Sequence, residues 1–327
     1  MLHKIGIVGC GGIAQVHAAA LARLENTQLI ACADIRPERA QAMAEKYGCR
    51  AYASMEEMLE KESLDAVHLC TPHYLHTPMA QMAAEKGLAV FTEKPPVINR
   101  EQWAQLEEAA KKTPLGVCFQ NRYNPNVRAA ERIVASGEYG ALAGARAIVN
   151  WYRTAPYYTE SGWRGAWDTE GGGALINQAI HTLDLMVRFL GAPQRVEAHM
   201  ANHHLKNVIQ VEDTVEAYLV LGGKPALFYA STAYTQNAPI MLELQLERPP
   251  SASKRRSLPS ARTRAGGMKP SPFRPPWARI TGAAATWSVF GISTTRWSSI
   301  VPSRTISLPC GTPSRLTCKC TSRARPS

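Results

Sequence analysis

Two hydrophobic rhythms divide the first 247 residues. Lys4–Val8, Gln28–Ala33, Asp65–Cys70 and Leu88–Phe91 are short, mostly apolar runs. Runs of this length predict strands buried on both faces of a sheet. Helical stretches at residues 15–24, 37–47, 77–86 and 100–112 alternate with them. Strand and helix in alternation predict a doubly wound parallel sheet. Farther on the rhythm changes. Residues 144–151, 194–201, 213–221, 225–233 and 241–247 read as strands, several of them alternating apolar with polar. Gly222-Gly223 supplies a hairpin turn between two of them. Ala174 to Leu190 reads as a single helix, introduced by three glycines and ended by Gly191. Ile176, Ile180, Leu183, Val187 and Leu190 form its apolar face, and Asn177, His181, Asp184 and Arg188 the stripe beside it.

Length and charge refine this picture. A chain of 327 residues is long enough for two domains, each with its own core. The net charge of +11 suggests nucleic acid until its distribution is read. Residues 248–327 hold fifteen of the 37 Lys and Arg and none of the 26 acids, which leaves residues 1–247 at −4. The same tail holds 11 of the 22 prolines and shows no sustained period of 3.6 or 2. At the acid frequency of the preceding residues, such a run would arise about once in ten thousand chains. The hypothesis this motivates is a shift of reading frame near codon 248; an in-frame gene sequence through Ser327 would end it. The competing reading is a basic disordered extension. The tail carries no nucleic-acid-binding motif, so no nucleic-acid partner is expected.

The cysteines are scattered and form no disulfide framework or four-ligand zinc set, which points to a reducing cytoplasm and no metal. No stretch is long and apolar enough to span a membrane. The N-terminal residues fit strand, turn and helix better than a signal peptide.

Gly9-Cys10-Gly11-Gly12-Ile13-Ala14 follows the first strand and opens the first helix. This is a G-x-G-x-x-A pattern in the context that dinucleotide binding requires. Gly9 permits the turn, Gly11 lets backbone approach a pyrophosphate, and Ala14 keeps helix against strand. Asp34 ends the second strand, where a carboxylate accepts from ribose hydroxyls and repels a 2′-phosphate. That favours NAD, while Arg36 leaves NADP open. Thr71-Pro72-His73-Tyr74-Leu75-His76 and Glu93-Lys94-Pro95 follow the next two strands, at the ligand edge of such a sheet.

These elements, with Gln120-Asn121-Arg122-Tyr123-Asn124-Pro125 and the segment Gly171–Asp184, resemble the glucose-fructose oxidoreductase / inositol dehydrogenase / MocA family. They occur in family order over roughly residues 1–247. The resemblance implies an NAD(P)-binding Rossmann domain at residues 1–120. It also implies a substrate and oligomerisation α+β domain at residues 121–247, with a large mostly antiparallel sheet that this tail leaves incomplete. It further implies homo-oligomers formed through that sheet, and hydride transfer at a hydroxyl of a sugar, cyclitol or nucleotide sugar. Cofactor contacts are expected from Gly9, Gly11, Gly12, Ile13, Ala14, Asp34 and Arg36. Others are expected from Thr71, Pro72, His73, His76, Glu93, Lys94 and Gln120.

Lys94, His181 and Asn177 are the catalytic candidates. Hydride transfer from an alcohol carbon must accompany loss of the hydroxyl proton. His181 is the natural base because its ordinary pKa lies nearest neutrality. Lys94 can hold the same oxygen as an ammonium, or relay the proton if desolvated. The family often has Asp where this chain has Asn177, which shifts weight onto His181 and Lys94. Arg122, Tyr123, Tyr152, Trp163 and Arg164, with Asn177 and His181, are the substrate-side candidates. His203 and His204 read as surface residues. The alternative is a non-catalytic nucleotide-binding sensor or regulatory protein of the same fold.

Overall fold

The computed structural model describes residues 2–248. The expectation about the tail therefore lies outside the described residues, Arg248 apart. The chain begins with β1 (His3–Val8), α1 (Gly12–Leu21), β2 (Thr27–Ala33), α2 (Pro37–Tyr47), β3 (Arg50–Tyr52) and α3 (Met55–Lys61). It continues with β4 (Ala66–Leu69), α4 (His76–Glu85), β5 (Ala89–Thr92), α5 (Arg100–Lys112) and β6 (Leu115–Val117). The six strands form one sheet in the order β3-β2-β1-β4-β5-β6. All its pairings are parallel. This is the doubly wound arrangement the alternation of patterns predicted. The direction of winding reverses between β1 and β4, so a crevice opens beyond their C-terminal ends.

Each face of this sheet has its own core. Ile5, Ile7, Ala14, Ala18, Leu21 and Met43 pack α1 and α2 on one side. Val8, Met55, Met58, Val67, Ala83 and Leu106 pack α3, α4 and α5 on the other. Burial of strand residues on both sides explains why their sequences run apolar without alternating. Gly9 turns out of β1 at φ +83°, and a Cβ there would lie 2.7 Å from the Cys70 carbonyl oxygen, so only glycine fits.

Next come α6 (Pro125–Ser136), β7 (Leu142–Asn150), α7 (Ala155–Thr159), α8 (Trp167–Glu170), α9 (Ile180–Leu190), β8 (Pro193–Ala201), β9 (Thr214–Leu221), β10 (Lys224–Ser231) and β11 (Met241–Leu246). The five strands form a second sheet in the order β11-β7-β10-β9-β8. Pairing is antiparallel except between β7 and β10. Gly222 and Gly223 join β9 to β10 with φ of +53° and +79°, the positive values a two-residue hairpin turn demands. One face of the sheet packs Val149, Leu219, Leu221, Phe228 and Ala230 against Ala179, Met186 and Leu190.

The helix expected over Ala174–Leu190 is two pieces. Ala174–Ala179 is a π-helical turn, and α9 starts only at Ile180. The wider turn rotates the buried face to Thr182, Leu185, Met186 and Leu190; Ile176 and Ile180 are only partly buried. π turns of this kind concentrate at functional sites. No helix among the described residues is long and apolar enough to cross a membrane.

Candidate active site

A cavity of about 1260 Å³ runs from the crevice of the first sheet to the face of α9. Its dinucleotide end begins at the N-terminus of α1. No side chain caps that helix, so its first amides are free. Added Cβ atoms at Gly11 or Gly12 would meet nothing within 4 Å, which leaves an open cradle over those amides. Asp34 sits at the end of β2. Its carboxylate accepts from the backbone amides of Cys10 (2.7 Å) and Arg36 (2.9 Å), which fixes it beside the glycine turn.

Gly9, Gly11, Gly12, Ile13, Asp34 and Arg36 all line the cavity. Thr71, Pro72, His73, His76, Glu93 and Gln120 line it farther in. Ala14 does not: it is fully buried against the sheet, as a helix-to-strand spacer should be. His76 ties two loops together, with ring nitrogens 2.7 Å from the Pro95 carbonyl and 2.9 Å from the Thr71 carbonyl. His73 is held by the Glu170 carbonyl at 2.8 Å, with its ring centroid 4.5 Å from that of Trp163. His203 and His204 are exposed.

Lys94 and His181 both open into this cavity. Lys94 follows β5 and donates to the Asn177 backbone carbonyl at 2.7 Å and to Asn177 Oδ1 at 3.3 Å. The π turn presents both oxygens of Asn177 to that one amine. Burial pulls the Lys94 ammonium below its ordinary pKa, against the opposing pull of Glu93 and Glu170. Burial, and then the Lys94 charge, push His181 down to about 3, so its imidazole is neutral at pH 7. Its Nδ1 is buried and meets no protein partner.

Six buried side-chain polar atoms among the described residues lack a partner, and five of them belong to Thr71, Arg153, Arg164, Gln178 and His181. All five residues line the cavity. Buried polar groups are otherwise satisfied almost everywhere in folded proteins, so this concentration marks a surface built for a polar ligand. With the open helix amides and the fixed Asp34, the residues fit a dinucleotide at one end and a hydroxyl-rich molecule at the other.

Trp163, Arg164 and Asn177 line the cavity beyond the crevice of the first sheet. Arg122, Tyr123 and Tyr152 do not line the cavity. Arg122 is bound through its forked donors to Asp184 and lies over the Phe119 ring. Tyr123 packs beside the cluster of Ala20, Phe91 and Cys118 and carries the Arg128 guanidinium on its ring. Tyr152 is 39% exposed, with its ring near His204.

Sequence reasoning missed Glu170. It is fully buried at the end of α8 and accepts from the Gly165 amide at 2.6 Å and from Asn177 Nδ2 at 2.5 Å. Burial raises its carboxyl to about 7, against the opposing effect of those hydrogen bonds. The carboxylate absent at position 177 thus stands one hydrogen bond behind it. The available signal was an acid set directly before three glycines. A second buried carboxylate, Glu212, accepts from the Gly173 and Leu175 amides and anchors the π turn. Behind Lys94, the His17 imidazole bonds His68 (3.1 Å) and Glu93 (3.0 Å), a buried set within the first sheet's layers. Among the described residues His17, Glu93 and Cys118 bring three ligand-type atoms together, all of them buried.

Comparison with known proteins identifies the family of both domains. Residues 3–120 match the family profile described as an oxidoreductase family with an NAD-binding Rossmann fold. Residues 127–248 match that of the GFO/IDH/MocA C-terminal domain. The D-glucoside 3-dehydrogenase of Escherichia coli is 32% identical over 205 residues, 60% of this chain and 57% of the relative. The inositol 2-dehydrogenase of Rhizobium meliloti is 30% identical over 195 residues, 58% of this chain and 55% of the relative. The chain therefore spans little more than half the length of these relatives. The WlbA dehydrogenase of Bordetella pertussis, solved with NADH and UDP-GlcNAcA, superposes with a TM-score of 0.72 at 31% identity, covering 76% of each chain. Over residues 3–248 the chain belongs to the glucose-fructose oxidoreductase / inositol dehydrogenase / MocA family, with an NAD-binding Rossmann fold at its N-terminus.

Proposed function

We propose that the protein is an NAD-dependent oxidoreductase acting on a secondary alcohol or ketone of a sugar-like molecule. The observation that carries this reading is the meeting of Lys94, Asn177 and His181 in the cavity that begins at the α1 cradle. Dehydrogenases of sugars and inositol among its relatives support it. We assign residues 1–120 to the cofactor and 121–247 to the substrate and to assembly. Asp34 favours NAD over NADP.

When bound, the nicotinamide accepts or returns a hydride. The protein must handle the hydroxyl proton. Burial lowers both candidate bases, with opposite consequences. It carries His181 away from the working range and Lys94 toward it. A base works best with a pKa near the operating pH, so Lys94 takes the proton and neutral His181 hydrogen-bonds the reacting oxygen. Two Lys94 N–H groups are held by Asn177, which aims the remaining valence of the amine. Glu170 holds the Asn177 amide in that orientation through Nδ2.

The outer face of the second sheet carries Tyr218 and Leu227, 38% and 57% exposed. We assign homo-oligomer assembly to that face. The thiols of Cys32 and Cys49, 3.8 Å apart and free, suit a reducing cytoplasm.

The test combines NADH binding by fluorescence with nicotinamide absorbance on a panel of sugars and cyclitols. Oxidation should rise with pH as the Lys94 ammonium loses its proton. Lys94→Arg, which stays charged, should abolish that rise and lower kcat by roughly 10²–10⁴-fold while NADH still binds. Cofactor binding without turnover of any substrate would favour the sensor reading, and no cofactor binding would end both.

A further inference from the structure

The proposed reaction does not fix the charge of the substrate, but the far end of the cavity does. There, arginines and aromatic rings alternate. Arg164 Cζ lies 4.4 Å from the Tyr157 ring centroid and 4.7 Å from that of Trp163. Arg153 Cζ lies 5.0 Å from the Trp151 centroid and 5.1 Å from that of Tyr157. Stacking occupies the flat faces of a guanidinium and leaves its N–H edges to be bonded. Arg153 spends one nitrogen on the Tyr152 carbonyl and Asn237 Oδ1. The Nε atoms of both arginines are buried and meet no protein acceptor. Neither guanidinium belongs to an ion pair among the described residues.

The nearby carboxylates do not answer this charge. Both Glu170 oxygens are taken by Gly165 and Asn177. Glu160 lies on the cavity lining but is solvent-exposed. Guanidinium never deprotonates in a protein, and a half-buried one without an anion is costly. The location fixes where on the substrate the anion belongs. The Tyr157 hydroxyl, whose ring both arginines share, lies 3.4 Å from Asn177 Nδ2 and 3.1 Å from Gln178 Nε2. Asn177 in turn contacts the Lys94 amine. One tyrosine and one asparagine thus link the arginines to the Lys94 amine within one cavity.

We propose that Arg164, with Arg153 beside it, binds an anionic substituent, carboxylate or phosphate, carried on the sugar ring that is oxidised or reduced. This rests on the dehydrogenase reading for the reaction but not for the binding. A forked guanidinium matches either oxyanion with two parallel hydrogen bonds.

The experiment compares a neutral hexose, the corresponding hexuronate and the hexose 6-phosphate on the full chain with NAD. Turnover and calorimetric binding are both measured, for the wild type, Arg164→Gln and Arg164→Lys. One anionic compound should surpass the neutral parent by about 10-fold or more in kcat/KM, with a preference that weakens as salt rises. Arg164→Gln should erase that preference, mainly through KM, and Arg164→Lys should restore part of it. Unchanged NADH binding shows that each variant is folded. The arm that wins tells uronate from phosphate. Equal use of all three compounds, or a preference that survives Arg164→Gln, overturns the proposal and leaves the dehydrogenase standing. Anion binding lost in Arg164→Gln but without turnover upholds the arginine site and sinks the dehydrogenase. No binding of either anion overturns the proposal.

Discussion

At the scale of single residues, the site turns on what burial does to charge. Glu170 has no exposed surface, and its carboxyl is raised to about 7. A carboxyl raised in the folded state holds a proton that the unfolded chain has already released. Its stabilising contribution is therefore full below the unfolded pKa and is lost as pH climbs through about 7. Glu170→Gln removes this dependence. It also leaves one oxygen to serve two donors, the Gly165 amide and Asn177 Nδ2. The stability gap between wild type and Glu170→Gln, measured by urea unfolding, should be about 2–3 kcal/mol larger at pH 5 than at pH 8. A gap that does not change with pH would show that the carboxyl is ionised throughout. Sequence could propose Lys94 and His181 because their residue types name their chemistry. For Glu170 it offered only a place before three glycines, because the importance of this residue comes from a carboxyl group facing Asn177 across that segment. Nor could it show that Arg122 is committed to Asp184, because that partner is 62 positions away.

At the scale of elements, most of the architecture was legible. Long periodic or continuous runs gave α2, α5, and every strand of the two sheets except β3 and β6, with ends within a few residues. The elements overlooked were short or poorly patterned. β3 and β6 have three residues each, too few to show a period. α3 and α6 could have been found from their ends. Ser54 caps α3 by accepting from the Glu57 amide at 3.1 Å, in an S-x-x-E pattern, and Pro125 and the left-handed Gly137 bracket α6. The π turn was invisible, because periodicity cannot show one extra residue per turn. Its cause is tertiary. The Ala174 amide bonds the Glu212 carbonyl, and the Glu212 carboxylate takes the Gly173 and Leu175 amides. This contact is so close that a Cβ on Gly173 would stand 1.8 Å from the Glu212 carbonyl oxygen. Gly173→Ala should cost roughly 2–3 kcal/mol or more in urea unfolding and displace Asn177, with activity falling further than stability explains. A variant of wild-type stability and activity would show that the turn tolerates the shift.

At the scale of the whole molecule, one sheet carries the cofactor crevice and the other presents an open face. Leu227 projects from the centre of that face at 57% exposure, on β10 between β7 and β9. Leu227→Glu should convert an assembled species to monomer in sedimentation velocity without altering NADH binding. Unchanged assembly would assign the interface elsewhere. The second sheet also sets a timetable for folding. β9 and β10 are joined by two residues, whereas β10 reaches its parallel neighbour β7 across some eighty positions, Ala226 beside Ala145. Closing the long loop is entropically expensive, so the hairpin should lead and β7, the only neighbour of β11 among the described residues, should dock later. Val215→Ala in the hairpin should slow refolding, and Val149→Ala on β7 should mainly speed unfolding. The reverse pattern in stopped-flow kinetics would refute that order. Because β7 lies just ahead of α7 and α8, a chain with its hairpin made but β7 undocked would bind dinucleotide before it could recognise substrate.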